Sequence, residues 1–137
     1  MKRAVFLDTS AWIAAAVRSQ SRHDAAREAY TAAVRQGYRI VLTPMVLGES
    51  HALFLRLLGR AKAMAAIESA MSDPTHVVLP VDDALIKVAV ERWLRPYRDQ
   101  EFSLCDAVSF EVMKREGITR ALSIDHHFVT AGFEIVA

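Results

Sequence analysis

Four acidic residues occupy positions where carboxylates can converge: Asp8, Glu49, Asp106 and Asp125. Asp8 and Asp125 each immediately follow an apolar run, Ala4 to Leu7 and Ala121 to Ile124. Short apolar runs of this kind read as buried strands. Ligands of open α/β sheets bind beyond the carboxyl ends of the strands, where the winding reverses. Glu49 lies five residues after Pro44, and Asp106 three residues after Ser103. Each sits early in a helix that leaves the same sheet edge if the crossovers are right-handed. Carboxylates gathered in this way repel one another, and a divalent cation between them reverses the sign of the interaction. Hard oxygen ligands, without a cysteine or histidine pair, favour Mg²⁺ or Mn²⁺ over zinc. Mg²⁺ keeps several waters and takes one or two carboxylates directly. Asp8 and Asp106 are the expected ligands. Asp125 and Glu49 complete the pocket, bind a second ion or orient a water.

Each acid also has a plainer use. Aspartate after a strand caps helices and forms turns, and Ser103-x-x-Asp106 fits a capping box with Asp in place of Glu. Glu49 resists such a reading. It stands among Val46, Leu47, Ala52 and Leu53, and a glutamate is rarely buried there without a partner. Thr9 or Ser10 is placed to support Asp8 by hydrogen bonding. His126 and His127 read as turn residues, because no further zinc ligands stand at a suitable spacing. Cys105 reads as buried filler with no base beside it. The stretch Asp8-Thr9-Ser10 lacks the second acid of the Asp-x-Asp phosphotransferases, and no glycine loop is present to cradle phosphates.

The elements that position these residues alternate. Strands are expected at Ala4–Leu7, Arg39–Thr43, Val77–Leu79, Ala121–Ile124 and Phe133–Val136. Between them, helices are expected from Ala11, over Ser21–Gln36, from Pro44 to about Leu58, over Arg60–Met71, from Asp82 or Asp83 to near Arg95, and from Ser103 to Glu116. Gly37, Gly59 and Gly117 stop three of them. This alternation implies parallel βα units in a three-layer α/β/α sandwich.

The chain's 137 residues suit one domain spanning 1–137. A hydrophobic share of 53% excludes a disordered tail protein. A net charge of +1 is too small to announce a nucleic-acid binder by itself. A single cysteine rules out an intrachain disulfide. The first apolar run is too short for a signal peptide, and no stretch reaches the length of a membrane span. A cytoplasmic location is therefore expected.

Val5-Phe6-Leu7-Asp8-Thr9-Ser10, Glu49 in the helix after the second strand, Ser103-Leu104-Cys105-Asp106-Ala107-Val108-Ser109 and Leu122-Ser123-Ile124-Asp125-His126-His127-Phe128 together resemble the PIN domain. More narrowly, they resemble the VapC-type toxins of prokaryotic toxin–antitoxin pairs. The resemblance runs along nearly the whole chain. It implies a five-stranded parallel sheet, Mg²⁺-dependent endoribonuclease activity, a homodimer and a small antitoxin partner. It also places Asp8, Glu49, Asp106 and Asp125 on the family's acidic positions. RNA processing outside a toxin pair, or a module that binds without cutting, are the alternatives it leaves. An RNA substrate needs cations around an acidic pocket; Arg18, Arg22, Arg92, Arg95 and Arg98 are the candidates. The third helix is apolar nearly all round, which calls for burial on more than one side and hence a second chain. On this reading Val46, Leu53 and Leu57 face the sheet, and Leu47, Phe54 and Leu58 face the partner.

Overall fold

The computed structural model describes residues 1 and 3–136. Five parallel strands form one sheet in the order β3-β2-β1-β4-β5. They are β1 (Ala4–Leu7), β2 (Arg39–Leu42), β3 (His76–Val78), β4 (Arg120–Leu122) and β5 (Glu134–Val136). Phe6 pairs with Val41 on one side and Ala121 on the other, so β1 is central. Val5, Phe6, Leu7, Ile40, Val41, Leu42, Ala121 and Leu122 are all buried, as a strand covered on both faces requires.

The helices are α1 (Thr9–Ala16), α2 (His23–Arg35), α3 (Pro44–Leu58), α4 (Arg60–Ser72), α5 (Asp83–Ala89), α6 (Leu104–Glu116) and α7 (His127–Thr130). The chain moves from β1 through β2 to β3, then crosses back to β4 and β5 on the far side of β1. With right-handed crossovers, α1 to α4 lie on one face and α5 to α7 on the other. The contacts agree: α1 packs on α2 and α3, α3 on α4, α5 on α6, and α6 on α7. The winding therefore reverses between β1 and β4, the adjacent strands that precede Asp8 and Asp125.

Local chemistry explains most boundaries. Pro44 takes the first turn of α3, and the Thr43 hydroxyl accepts the Val46 amide at 3.3 Å. Gly59, at φ +88°, lets α4 follow α3 directly. Several expectations shift. α1 begins at Thr9, with Asp8 at its N-cap, two residues earlier than expected. The fifth helix changes at Val90 into a π-helical turn that runs to Leu94. β4 ends at Leu122, so Asp125 follows it by three residues rather than immediately. Phe54 is fully buried among Ile13, Val17 and Ala63 of the same chain, whereas Leu57 is exposed. The expected division of α3 between sheet and partner is therefore incorrect: α1 and α4 cover the Phe54 side.

Candidate active site

Asp8 is held at the β1–β4 seam. Its amide donates to the Leu122 carbonyl at 3.0 Å, which fixes the backbone just past the end of β1. The residue is only 5% exposed. Ser10 Oγ donates to Oδ2 at 2.6 Å, and Ser123 Oγ donates to the same atom at 2.9 Å. Ser10 thus fulfils the supporting role expected of Thr9 or Ser10, while the buried Thr9 hydroxyl has no partner among the described residues. Burial pushes the Asp8 carboxyl up to about 6. The two serine hydroxyls pull against that rise, and the charges of Asp106 and Asp125 add to it.

Asp106 enters from the first turn of α6. The capping box is complete: Ser103 Oγ accepts the Asp106 amide at 3.0 Å, and Asp106 Oδ2 accepts the Ser103 amide at 3.1 Å. Asp125 enters from the turn after β4. Its amide donates to Ser123 Oγ, and its Oδ1 accepts the His127 amide, both at 2.9 Å. His127 is no mere turn residue. Its Nδ1 lies 3.1 Å from Asp106 Oδ2 and 3.5 Å from Asp125 Oδ1. One atom from each of Asp106, Asp125 and His127 falls within 4.8 Å of the others.

Glu49 behaves differently from its expected description. Two turns into α3 it is exposed rather than buried, and it makes no hydrogen bond or ion pair among the described residues. It still borders the site. Burial pushes the Cys105 thiol up to about 12, and the charges of Glu49, Asp8 and Asp106 raise it further. Cys105 is therefore an inert thiol that feels the charge of three of the four acids.

No local pattern in the chain points to Ser123 or Glu111. Ser123 lies two residues before Asp125, a spacing that signals nothing unless β4 is known to end at Leu122. Glu111 is 2% exposed on α6. It accepts Trp93 Nε1 at 3.0 Å and Arg115 Nε at 2.9 Å, and it forms an ion pair with Arg92, whose Nε lies 3.1 Å away. This carboxylate ties the π-helical turn to the helix that carries Asp106. It also engages Arg92, one of the five candidate RNA-binding arginines. Arg95 pairs with Glu91 at 2.7 Å. Arg18, Arg22 and Arg98 are exposed and make no ion pair among the described residues.

The donor set suits a hard divalent cation. Each aspartate uses one oxygen on the protein: Oδ2 of Asp8, Oδ2 of Asp106 and Oδ1 of Asp125. No hydrogen bond among the described residues falls on the other oxygen of any of the three. Three carboxylates anchored by one oxygen and free at the other fit an ion that takes oxygen ligands.

Residues 5–134 match the model of the PIN domain. The chain belongs to the PIN domain family. Among curated relatives, the 23S rRNA-specific endonuclease VapC20 of Mycobacterium tuberculosis is 32% identical over 129 residues, covering 94% of this chain and 95% of that protein. The crystal structure of the same M. tuberculosis protein, described as a sarcin-ricin loop cleaving toxin, superposes with a TM-score of 0.86, covering 95% of this chain and 96% of that one. A more distant structure, FitAcB from Neisseria gonorrhoeae, shares the fold with a TM-score of 0.65 at 17% identity, covering 97% and 96% of the two chains. The VapC-type resemblance thus holds over nearly the full PIN domain, and the five-stranded parallel sheet is the PIN fold.

Proposed function

We propose that this chain is a divalent-metal-dependent endoribonuclease and the toxin of a type II toxin–antitoxin pair. The observation that carries the proposal is the free oxygen on each of Asp8, Asp106 and Asp125, gathered where the winding of the sheet reverses. Asp8 and Asp106 would hold the main ion, Mg²⁺ with Mn²⁺ as a substitute, and Asp125 and the exposed Glu49 would complete the pocket. When bound, such an ion acidifies a water and offsets the charge that builds on the phosphate during attack.

The protein's own groups do the positioning. Ser10 and Ser123 lock the Asp8 carboxylate, the capping box fixes Asp106, and the His127 amide fixes Asp125. Arg18, Arg22 and Arg98 remain available to hold the RNA backbone around an otherwise repelling pocket. Structured RNA of the large ribosomal subunit is the proposed substrate class, by analogy with the M. tuberculosis relative. A ribosomal substrate supports a cytoplasmic location. No helix among the described residues is long and apolar enough to cross a membrane. One domain, a small antitoxin that blocks the site and a homodimer belong to the same reading.

Purified protein incubated with ribosomes and Mg²⁺ or Mn²⁺ should cut ribosomal RNA at a discrete place, and excess EDTA should stop it. Cleavage that continues in chelator would overturn the metal assignment. No cleavage of any structured RNA by metal-loaded protein would favour a binding module.

A further inference from the structure

The site contains one nitrogen donor among its oxygens. His127 opens α7, and its Nδ1 faces Asp106 Oδ2 and Asp125 Oδ1. Phe102 meets the imidazole in an edge-to-face contact with ring centroids 5.1 Å apart. Phe102 is itself packed against Tyr97 and Phe110. The ring plane is thereby set, with Nδ1 turned toward the acids.

We infer that His127 sets the metal preference of this site: its imidazole joins the coordination of Mn²⁺, Co²⁺ or Zn²⁺ and stays outside that of Mg²⁺. The inference rests on the proposed reading that Asp8, Asp106 and Asp125 hold a divalent cation. A carboxylate only accepts hydrogen bonds, so in the metal-free protein Nδ1 carries the proton that it gives to Asp106. Mg²⁺ selects oxygen and gives up water reluctantly, so it leaves that hydrogen bond in place. Imidazole suits the transition ions, and their affinity for a mixed site rises from Mn²⁺ through Co²⁺. For these ions Nδ1 gives its lone pair to the metal, and the ring proton moves through water to Nε2. The ring is about one-third exposed, which permits that exchange.

An all-oxygen site also prefers Zn²⁺ to Mg²⁺ to some degree, so the decisive quantity is how far the preference depends on His127. Calorimetric titration of wild type and His127→Asn with Mg²⁺, Mn²⁺ and Zn²⁺ provides it. The variant should lose at least tenfold in affinity for Mn²⁺ and Zn²⁺ and less than threefold for Mg²⁺. His127→Gln should behave alike, and His126→Asn should match wild type. ¹⁵N spectra of the wild-type imidazole should show Nδ1 deprotonated with Zn²⁺ and still protonated with Mg²⁺. Melting temperatures in EDTA confirm that the variants fold. Equal losses for all three ions, or none, would overturn the inference, as would an Nδ1 signal that Zn²⁺ leaves unmoved. If wild type binds none of the ions, the metal reading of the site falls instead.

Discussion

Ser123 and Asp8 lie on neighbouring strand ends, and the Ser123 hydroxyl donates to Asp8 Oδ2 across the β1–β4 seam at 2.9 Å. The Ser123 oxygen in turn accepts the Asp125 amide, so one hydroxyl sets two of the acids. Ser123→Ala removes both bonds without touching the remaining oxygen of Asp8 or either oxygen of Asp125. Groups that orient ligands in this way typically contribute 10–100-fold to affinity or activity. Cleavage should fall by roughly that factor, with a corresponding loss of metal affinity in calorimetry. A variant with unchanged rate would show that Ser10 alone holds Asp8.

Asp8→Asn should abolish cleavage while preserving the fold, because the amide oxygen can still accept from Ser10 and Ser123. Asp106→Asn should abolish it as well. Without metal, Asp8→Asn should melt higher than wild type at neutral pH, since it removes a buried charge beside two others. Circular dichroism and an RNA-cleavage assay on the same preparation test both statements. Full activity in Asp8→Asn would refute the site assignment.

The raised Asp8 carboxyl makes stability depend on pH. Unfolded, the group titrates near its ordinary 3.8; folded, near 6. Between those values the folded chain keeps a proton that the unfolded chain has released. In EDTA, stability should therefore fall as pH rises through this window, by roughly 3 kcal/mol in total, and stay at its lower level above it. Asp8→Asn should flatten the profile. Melting curves from pH 4 to 7.5 measure it. An equally steep decline in both proteins would assign the effect to other groups.

Metal should offset that cost. Only the folded chain gathers the acids, so an ion at one hundred times its dissociation constant should stabilise the fold by about 2.7 kcal/mol. EDTA should lower the melting temperature without unfolding the domain at 25 °C. No shift with Mg²⁺ or Mn²⁺ at millimolar concentration would contradict a metal site built from these residues.

Assembly is tested on the outer face of α3. Leu55 and Leu57 are 45% and 43% exposed, and Met64 of α4 is 46% exposed. A homodimer through this face should scatter light as twice 15.3 kDa. Leu55→Glu should halve that mass with little change in melting temperature. Phe54→Glu should unfold the protomer instead, because a carboxylate there is buried without a partner at a cost of several kcal/mol. A monomeric wild type would remove the dimer from the proposed function.

The fold was legible because its strands are short, apolar and separated by strong helix stops. Asp8 was legible for the same reason, and Asp106 through the Ser103 spacing. What escaped depends on side chains distant in sequence. Glu49 sits in an apolar stretch but points outward, and one-dimensional context cannot assign it a side. His127 becomes part of the site only because α6 and α7 are packed together, with Phe102 beside the imidazole. The π-helical turn at Val90–Leu94 brings Trp93 to a carboxylate eighteen residues later, and no local pattern encodes that. Phe54 packs against α1 and α4 of its own chain, and hydrophobicity alone does not distinguish an intrachain helix from a partner.

The capping box on α6 bears on how this gene can lose its activity in a cell. Asp106 closes the helix cap with the same carboxylate that faces the pocket, whereas Asp8 closes none. A change that disables the proposed ligand Asp8 should leave a well-folded, inert copy that accumulates normally. Most replacements at Asp106 other than Asn, Glu or Gln also remove the half of the capping box that its carboxylate makes with the Ser103 amide, leaving only the half made by its own amide, so those copies should be scarcer. Under selection against the active protein, inactive alleles at Asp8 should be found as abundant protein, and those at Asp106 more often as depleted protein. The two lesions, equal in chemistry, would leave different amounts of folded chain to engage whatever partner binds it.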